Sequence, residues 1–596
     1  GAMNGSQPPA PLAVSMNEVS FDSEDADTNW DEAAREIVLN GDSITFGGTG
    51  AAVQGSTVTI TEAGTYVVSG SLDDGAVVVD TDGVVHLVLN GAEIHCADSA
   101  PIYIKNAEKT VLTLAEGAEN SVTDGDSYVY DDAEEEEPNA AIFSKDDLTI
   151  NGSGSLTVGA NFNNAVTCKD DLKVMGGTLD LHAPDDGLMG RDMVAVQNGT
   201  ITIEAGGDGI KSTNTDDSRG FVAIQDGTFN ITAGTDGIQA HSAVLIGGGV
   251  FTLVTGGGSA NSSTASGDRM GDRGQPWGEW GDDGPGEAAE EDDTPSAKGI
   301  KAGANVSITG GTFIFDTSDD AIHSNTSVTI DGGVFNIASG DDGIHADATL
   351  AINGGDVDIS QSYEGLESAV IDINAGDIRI IAKDDGINVA GGNDGSSMNG
   401  RPGQNEFSAN ADQMLSIDGG YIVVDADGDG LDSNGNLYMT GGTVIVNGPT
   451  GNGNGPLDYN GTCEVNGGVL IAVGSAGMSQ APSEDSTQYA VLMDYDTVQN
   501  AGLLVHLEDS EGNDILTFDP AKEYQSLLLC SPVLQEGETY TLYAGGESTG
   551  GAFDGVYQDQ SYTGGTKITD FTISDMITYL NNSGVTTGEG LGQGQM

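Results

Sequence analysis

Doubled acids followed by glycine and an aliphatic residue return along this chain at a nearly constant interval. They read Asp185-Asp186-Gly187-Leu188, Gly207-Asp208-Gly209-Ile210 and Thr235-Asp236-Gly237-Ile238. They resume as Asp319-Asp320-Ala321-Ile322, Asp341-Asp342-Gly343-Ile344, Tyr363-Glu364-Gly365-Leu366 and Asp384-Asp385-Gly386-Ile387. The steps Asp186 to Asp208, Asp320 to Asp342 and Asp342 to Glu364 are each 22 residues, and Glu364 to Asp385 is 21. A fixed period of this size implies stacked units, so the acids fall above one another. Two bare charges about 4.8 Å apart repel by roughly 3 kcal/mol at an effective dielectric of about 20. A hard divalent cation relieves that repulsion at neutral pH. Calcium takes roughly six to eight oxygens from carboxylates and carbonyls, whereas magnesium demands a tight octahedron. Calcium is therefore the expected ion, with Asp185, Asp186, Asp208, Asp236, Asp319, Asp320, Asp341, Asp342, Glu364, Asp384 and Asp385 as candidate ligands. A single Asp-Gly would be read as a favourable turn and nothing more.

Asp425-Ala426-Asp427-Gly428-Asp429-Gly430 matches the opening of an EF-hand loop, but its twelfth position is Asn436 where glutamate is needed. Asp429 lies 44 residues after Asp385, which reads as two whole coils. Asp427 and Asp429 therefore join the candidate calcium ligands without an EF-hand.

The residue after the aliphatic of each phrase forms a second series: Met189, Lys211, Gln239, Lys301, His323, His345, Glu367, Asn388, Asp432 and Asp458. Lys211, Lys301, His323 and His345 are rare bases on a very acidic chain. One reading is that they neutralise neighbouring acids. The other is a sugar-contacting strip, with bases meeting the carboxylates of uronic acids and calcium bridging. A lysine beside calcium could also serve as the proton-abstracting base of a β-eliminating lyase.

The elements that must position these residues are short strands. Between the acids come alternating runs closed by Gly-Gly, such as Val328-Thr329-Ile330-Asp331-Gly332-Gly333-Val334-Phe335-Asn336-Ile337. Thr, Val and Ile dominate, as strands prefer, and no helical periodicity persists. The spacing predicts an all-β fold: a parallel β-helix solenoid of about 22-residue coils spanning 37–485. Two insertions, 256–296 and 391–411, enter beside the acids on one face. The first carries Trp277 and Trp280, which are candidate sugar-stacking residues. Residues 1–36 read as a flexible acidic linker, 486–585 as a small C-terminal β domain capping the helix, and 586–596 as a polar tail.

There are 94 acids against 18 bases, a formal charge of −76. Nucleic acid needs clustered Lys and Arg, so it is excluded as a partner. No stretch is apolar enough to span a membrane. Cys96, Cys168, Cys463 and Cys530 form no zinc pattern, and Cys96 and Cys168 read as buried strand residues rather than a disulfide. Gly1-Ala2-Met3 reads as the remnant of a cleaved tag, which would leave a native leader outside the sequence.

The phrases above, together with Asp146-Asp147-Leu148-Thr149-Ile150-Asn151-Gly152-Ser153-Gly154-Ser155-Leu156, Leu72-Asp73-Asp74-Gly75 and Glu523-Tyr524-Gln525-Ser526-Leu527, resemble the clostridial carbohydrate-binding β-helix proteins. That family's helix is similar to that of pectate lyases, though its members are not established as efficient lyases. The resemblance covers roughly 37–580. It implies a secreted or cell-surface, calcium-containing protein that binds cellulose and acidic sugars such as polygalacturonate. Ala321 for Gly and Glu364 for the acid pair depart from the pattern. The expectation is a monomeric, calcium-dependent binder of extracellular polysaccharide rather than an enzyme. A calcium-dependent polysaccharide lyase and a structural surface adhesin are the alternatives.

Overall fold

The computed structural model describes residues 15–16, 19–130, 136–216, 218–262, 296–390, 410–558 and 561–587. Its body is a β-solenoid of about 15 turns, with one strand of each turn in each of three parallel columns. One coil shows the pattern. Ile238–Ala240 lies in the first column, Ala243–Ile246 in the second and Val250–Thr255 in the third. Each pairs in register with its counterpart in the next coil: Ile238 with Ile300, Val244 with Val306 and Phe251 with Phe313. The predicted parallel β-helix is thus the observed fold.

Alternation drives the packing. In Val250–Thr255 the inward residues Phe251 and Leu253 are fully buried while Val250 faces solvent. Inward residues of successive coils stack on their own kind, and Phe229, Phe251, Phe313 and Phe335 form a column with ring centroids 4.6, 4.7 and 4.8 Å apart. These distances match the interstrand spacing of about 4.7–4.9 Å, so the backbone repeat itself sets the stacking. The Gly-Gly turns precede the third column. Gly333 sits at φ 118, and a Cβ there would lie 3.2 Å from the Gly311 carbonyl one coil below. A side chain at this corner would be strained by the backbone and would crowd that carbonyl.

The insertions leave from the two edges of the first column instead of sharing one. The described chain breaks off after Ser262 and returns at Ser296, just before Ile300–Ala302. The other stretch follows Ile387–Val389 and precedes the second-column strand Met414–Ile417. Ile387 pairs directly with Leu431. Asp385 and Asp429 therefore stand one coil apart, not two. Trp277 and Trp280 lie outside the described residues.

The N-terminal segment differs from the expected linker over 19–34. Val19 and Phe21 pack on Met193, Ala195, Phe221 and Ala223 along the outer face of the second column. Asp25 is fully buried and receives Lys109 Nζ at 3.0 Å, Lys173 Nζ at 3.1 Å and the Thr149 hydroxyl at 2.6 Å. Buried bases on the solenoid wall need a carboxylate, and the segment supplies it.

At the other end Val469–Gly474 closes the third column by pairing antiparallel with Tyr524–Cys530, which also pairs with Ala490–Gln499. An antiparallel six-stranded sheet follows, with its own apolar cluster around Phe518, Leu542 and Phe571. All four cysteines are free and buried. No described helix is long and apolar enough to cross a membrane.

Candidate functional site

The acids do fall in file, at the corner between the third and first columns. Their carboxylates are tied to the backbone of the coil above. Asp186 Oδ1 accepts the N–H of Asp208 at 2.9 Å, Asp208 Oδ1 that of Asp236 at 2.9 Å, and Asp236 Oδ1 that of Lys298 at 2.8 Å. The ladder continues from Asp320 to Asp342 at 3.0 Å, from Asp342 to Glu364 at 3.3 Å and from Asp385 to Asp429 at 2.6 Å. Asn164 begins it by accepting the Asp186 N–H at 3.0 Å. The corner strand is too short to satisfy these amides by itself, so a side-chain oxygen at each rung takes the role of a cap.

Over the first part of the ladder each second carboxylate oxygen meets a base. Lys211 Nζ lies 2.8 Å from Asp208 and 3.3 Å from Asp186. Lys301 Nζ lies 3.5 Å from Asp236 and donates to Ser296. His323 Nδ1 is 2.9 Å from Asp320 Oδ2, and His345 Nδ1 is 3.1 Å from Asp342 Oδ2 and 3.0 Å from Glu367. The two imidazoles stack with centroids 4.9 Å apart. Lys211, Lys301, His323 and His345 thus stand beside the ladder acids in the first column, where register aligns them.

The charges respond to this pairing. Burial pulls the Lys211 ammonium toward its neutral form, but the hydrogen bond and charge of Asp208, with Asp186, prevail and raise its pKa. Burial pushes Asp186 up to about 6 against the pull of Lys211. Burial also opposes ionisation of Asp320, yet Lys298 and His323 hold it well below the usual range. Burial opposes the charged form of His345, yet hydrogen bonds to Asp342, Asp347 and Glu367 raise its pKa well above the ordinary value.

Lys298 is a ladder residue that sequence reasoning passed over. Its Nζ contacts Asp319 at 2.9 Å and Asp320 at 2.8 Å, and it is 4% exposed. The signal was present: Lys298-Gly299-Ile300 replaces the acid of the phrase with a base. Asp185, Asp319 and Asp384 are half-buried at the edge of the ladder, whereas Asp341 and Glu364 are buried within it.

The far end of the ladder has a different character. Oxygens of Asp385, Asp429 and Asp432 lie within 4.8 Å of one another, and no base pairs with these three among the described residues. Burial, then the neighbouring carboxylates, pushes Asp429 up to about 7 and Asp432 up to about 8. Asp385 rises for the same reasons. This cluster has the donor set of a hard-cation site: oxygen only, convergent, and costly to ionise without a counter-charge. Asp427 stands apart from it, exposed and 2.8 Å from Lys522 of the C-terminal unit.

Beside the first column a groove of about 370 Å³ is lined by Gln239, His241, Ser242, Lys301 and Asn325. The Gln239 Oε1 is buried without a hydrogen-bond partner. His241 and Asn325 were not read from the sequence, because they sit in the irregular turn after the strand, where no period marks them.

An acidic-laddered β-solenoid with a polar groove on its first column is the class of protein that fold and site define. Residues 54–343 match a family model described as carbohydrate-binding domain-containing protein. A carbohydrate-binding domain-containing protein of Acetivibrio thermocellus is 42% identical over 151 residues, which is 25% of this chain and 53% of that protein. The chain thus spans about half the length of this curated relative. These matches bear out the resemblance to clostridial carbohydrate-binding proteins. A solved structure, described as the polysaccharide lyase-like protein from C. thermocellum in a gadolinium derivative, is 40% identical, with 36% of this chain and 93% of that chain covered at a TM-score of 0.35.

Proposed function

We propose that this protein binds extracellular polysaccharide carrying uronic acids, along the first column and its groove. The observation that carries the reading is the in-register file of Lys211, Gln239 and Lys301, each half-buried and inside the segment that matches the carbohydrate-binding family model. It sets amide and ammonium donors about 4.8 Å apart on a rigid backbone, and the buried His323 and His345 continue the file behind it. Gln239 brings an uncommitted acceptor to the groove, which suits a sugar hydroxyl. Calcium fits the Asp385, Asp429 and Asp432 end, where it would supply counter-charge and free coordination positions for a sugar carboxylate. A protein that engages such polymers works outside the cell or at its surface.

Binding is favoured over bond cleavage by one feature. A β-elimination base must be neutral to take a proton, and Asp208 and Asp186 hold the Lys211 ammonium ionised. Affinity electrophoresis through gels containing polygalacturonate and calcium tests the proposal. The intact protein is retarded, and Lys301→Ala and His241→Ala each weaken retention about tenfold, about 1.4 kcal/mol. Unchanged mobility of the intact protein sinks the reading, as does full retention in both variants.

A further inference from the structure

His345 faces more acid than one ring hydrogen can serve. Its Nδ1 lies 3.1 Å from Asp342 Oδ2 and 3.0 Å from Glu367 Oε2. An N–H bond points well at one acceptor and weakens steeply as it bends toward a second. The like charges of Asp341, Glu367 and Glu364 also bear on Asp342. One coil earlier the balance differs, because Lys298 Nζ lies 2.8 Å from Asp320 Oδ2 and shares it with His323. Asn388, which follows Glu367 in the file, is 8% exposed. Its amide donates to Glu364 at 2.7 Å, and its Oδ1 has no hydrogen-bond partner among the described residues. This corner is therefore short of positive charge and of donors in the same place.

The two imidazoles are set as metal ligands are. Register places His323, His345 and Glu367 in successive coils of one file. The Nε2 of each ring meets an oxygen, Asn325 Oδ1 at 3.0 Å from His323 and Asp347 Oδ1 at 3.3 Å from His345. A partner of this kind fixes the ring and holds the proton on Nε2, which leaves Nδ1 to ligate. Ligand atoms of Asp342, His345 and Glu367 lie within 4.8 Å of one another, and those of His323 and His345 do so as well. Zinc–donor bonds of about 2.0–2.2 Å put neighbouring ligands of a tetrahedron roughly 3.3 Å apart. The spacings around His345 Nδ1 are close to that.

We infer that His345, Asp342 and Glu367, with His323 as fourth ligand, form a site for a divalent transition-metal ion of the zinc class. Imidazole decides the class. Calcium and magnesium take oxygen ligands, whereas imidazole suits zinc, copper, nickel and iron. The site thus differs in chemistry from the all-oxygen cluster of Asp385, Asp429 and Asp432. The ion takes the place of the hydrogen at His345 Nδ1, serves both carboxylates at once, and leaves the Nε2 bond to Asp347 intact. It ties three successive coils together. Glu367 and Asp347 are partly open to solvent and give it a way in.

The test uses the full chain, stripped with chelator and then held in a large excess of calcium. Cobalt(II) is titrated while its visible d–d absorption is followed, and zinc binding is measured by calorimetry. The expected result is saturation at one equivalent of cobalt, displacement of that cobalt by zinc, and a higher melting temperature with zinc bound. His345→Gln and Glu367→Gln each weaken zinc binding at least about tenfold. Asp432→Asn, at the far end of the ladder, and His182→Ala, at a surface histidine beside Asp180 and Glu204, leave it unchanged. Melting in chelator checks that each variant is folded, and the cobalt titration of the intact chain decides the matter even if a variant is not. The inference is overturned if the intact chain gives no cobalt absorption, if excess calcium abolishes binding, or if folded His345→Gln and Glu367→Gln bind zinc as the intact chain does. Loss of binding in Asp432→Asn or His182→Ala instead would mark an adventitious ion only and overturn it equally.

Discussion

Asp208 Oδ1 accepts the backbone N–H of Asp236 at 2.9 Å while its Oδ2 lies 2.8 Å from Lys211 Nζ. One carboxylate therefore performs two tasks, capping the next coil and neutralising a base of its own coil. The arrangement recurs at Asp320 with Asp342 and His323. Amides and bases therefore offset the repulsion along this part of the file.

This dual role separates two substitutions. Asp208→Ala leaves the Asp236 N–H without its acceptor in a buried corner and leaves Lys211 only its 3.3 Å contact with Asp186. The unpaired amide costs about 1–3 kcal/mol, and the weakened ion pair adds to it. Asp208→Asn keeps an acceptor for the amide and loses only the ion pair. Chemical denaturation is expected to find Asp208→Ala the less stable of the two by about 1–2 kcal/mol. Equal losses would mean that the backbone cap contributes nothing.

The buried Asp25 gives the N-terminal segment a pH dependence. Burial alone would raise its pKa, but the Thr149 hydroxyl, the Asp22 amide, Lys109 and Lys173 bring it down to about 2 from an ordinary 3.8. A lowered carboxyl contributes stability above the unfolded value and loses it as pH falls through the folded one. Docking of 19–34 is thus expected to weaken between about pH 4 and pH 2. Hydrogen exchange of that segment measures it, with protection lost in this window while the solenoid strands stay protected. Asp25→Asn should already be unprotected at pH 7.

How much of this could be read beforehand follows from periodicity. The repeat fixed the strands, the coil length and the corner on which Asp186, Asp208, Asp320 and Asp342 lie, because each is marked by the same neighbours in every coil. Partners across coils were harder. That Lys211 would reach back to Asp186, or that Lys298 would occupy an acid's rung, depends on side-chain reach that spacing does not encode. The Asp385 to Asp429 step misled, since an insertion of nearly one coil length imitates a coil. The segment at 19–34 was read as linker from its composition. Its docking rests on one aspartate meeting two buried lysines far away in sequence, a contact with no local signature.

The phenylalanine column offers a test of the core. Phe313 stacks on Phe251 at 4.7 Å and Phe335 at 4.8 Å and is fully buried. Phe313→Ala opens a cavity between two rings that the neighbouring coils cannot close, because strand spacing fixes them. A loss of about 3–5 kcal/mol is expected, with Phe313→Leu costing clearly less. Thermal unfolding of the two variants checks the order. The reverse order would show that ring stacking strains the coil.

The ladder's far end should behave oppositely to the rungs around Asp208. Asp385, Asp429 and Asp432 converge without a base, so there an ion has work that side chains do not perform. An ion that binds only the folded state stabilises it by about 2.7 kcal/mol at a hundred times its dissociation constant. Calcium added to chelator-treated protein is therefore expected to raise the melting temperature by several degrees. Asp432→Asn removes one of the three converging carboxylates and should abolish most of that rise, while Asp208→Asn, on a rung neutralised by Lys211, should leave it intact. Calorimetry of calcium binding gives the same ranking independently. A calcium response that survives Asp432→Asn but vanishes in Asp208→Asn would move the ion to the base-paired rungs and refute the division of the ladder drawn from its pairing.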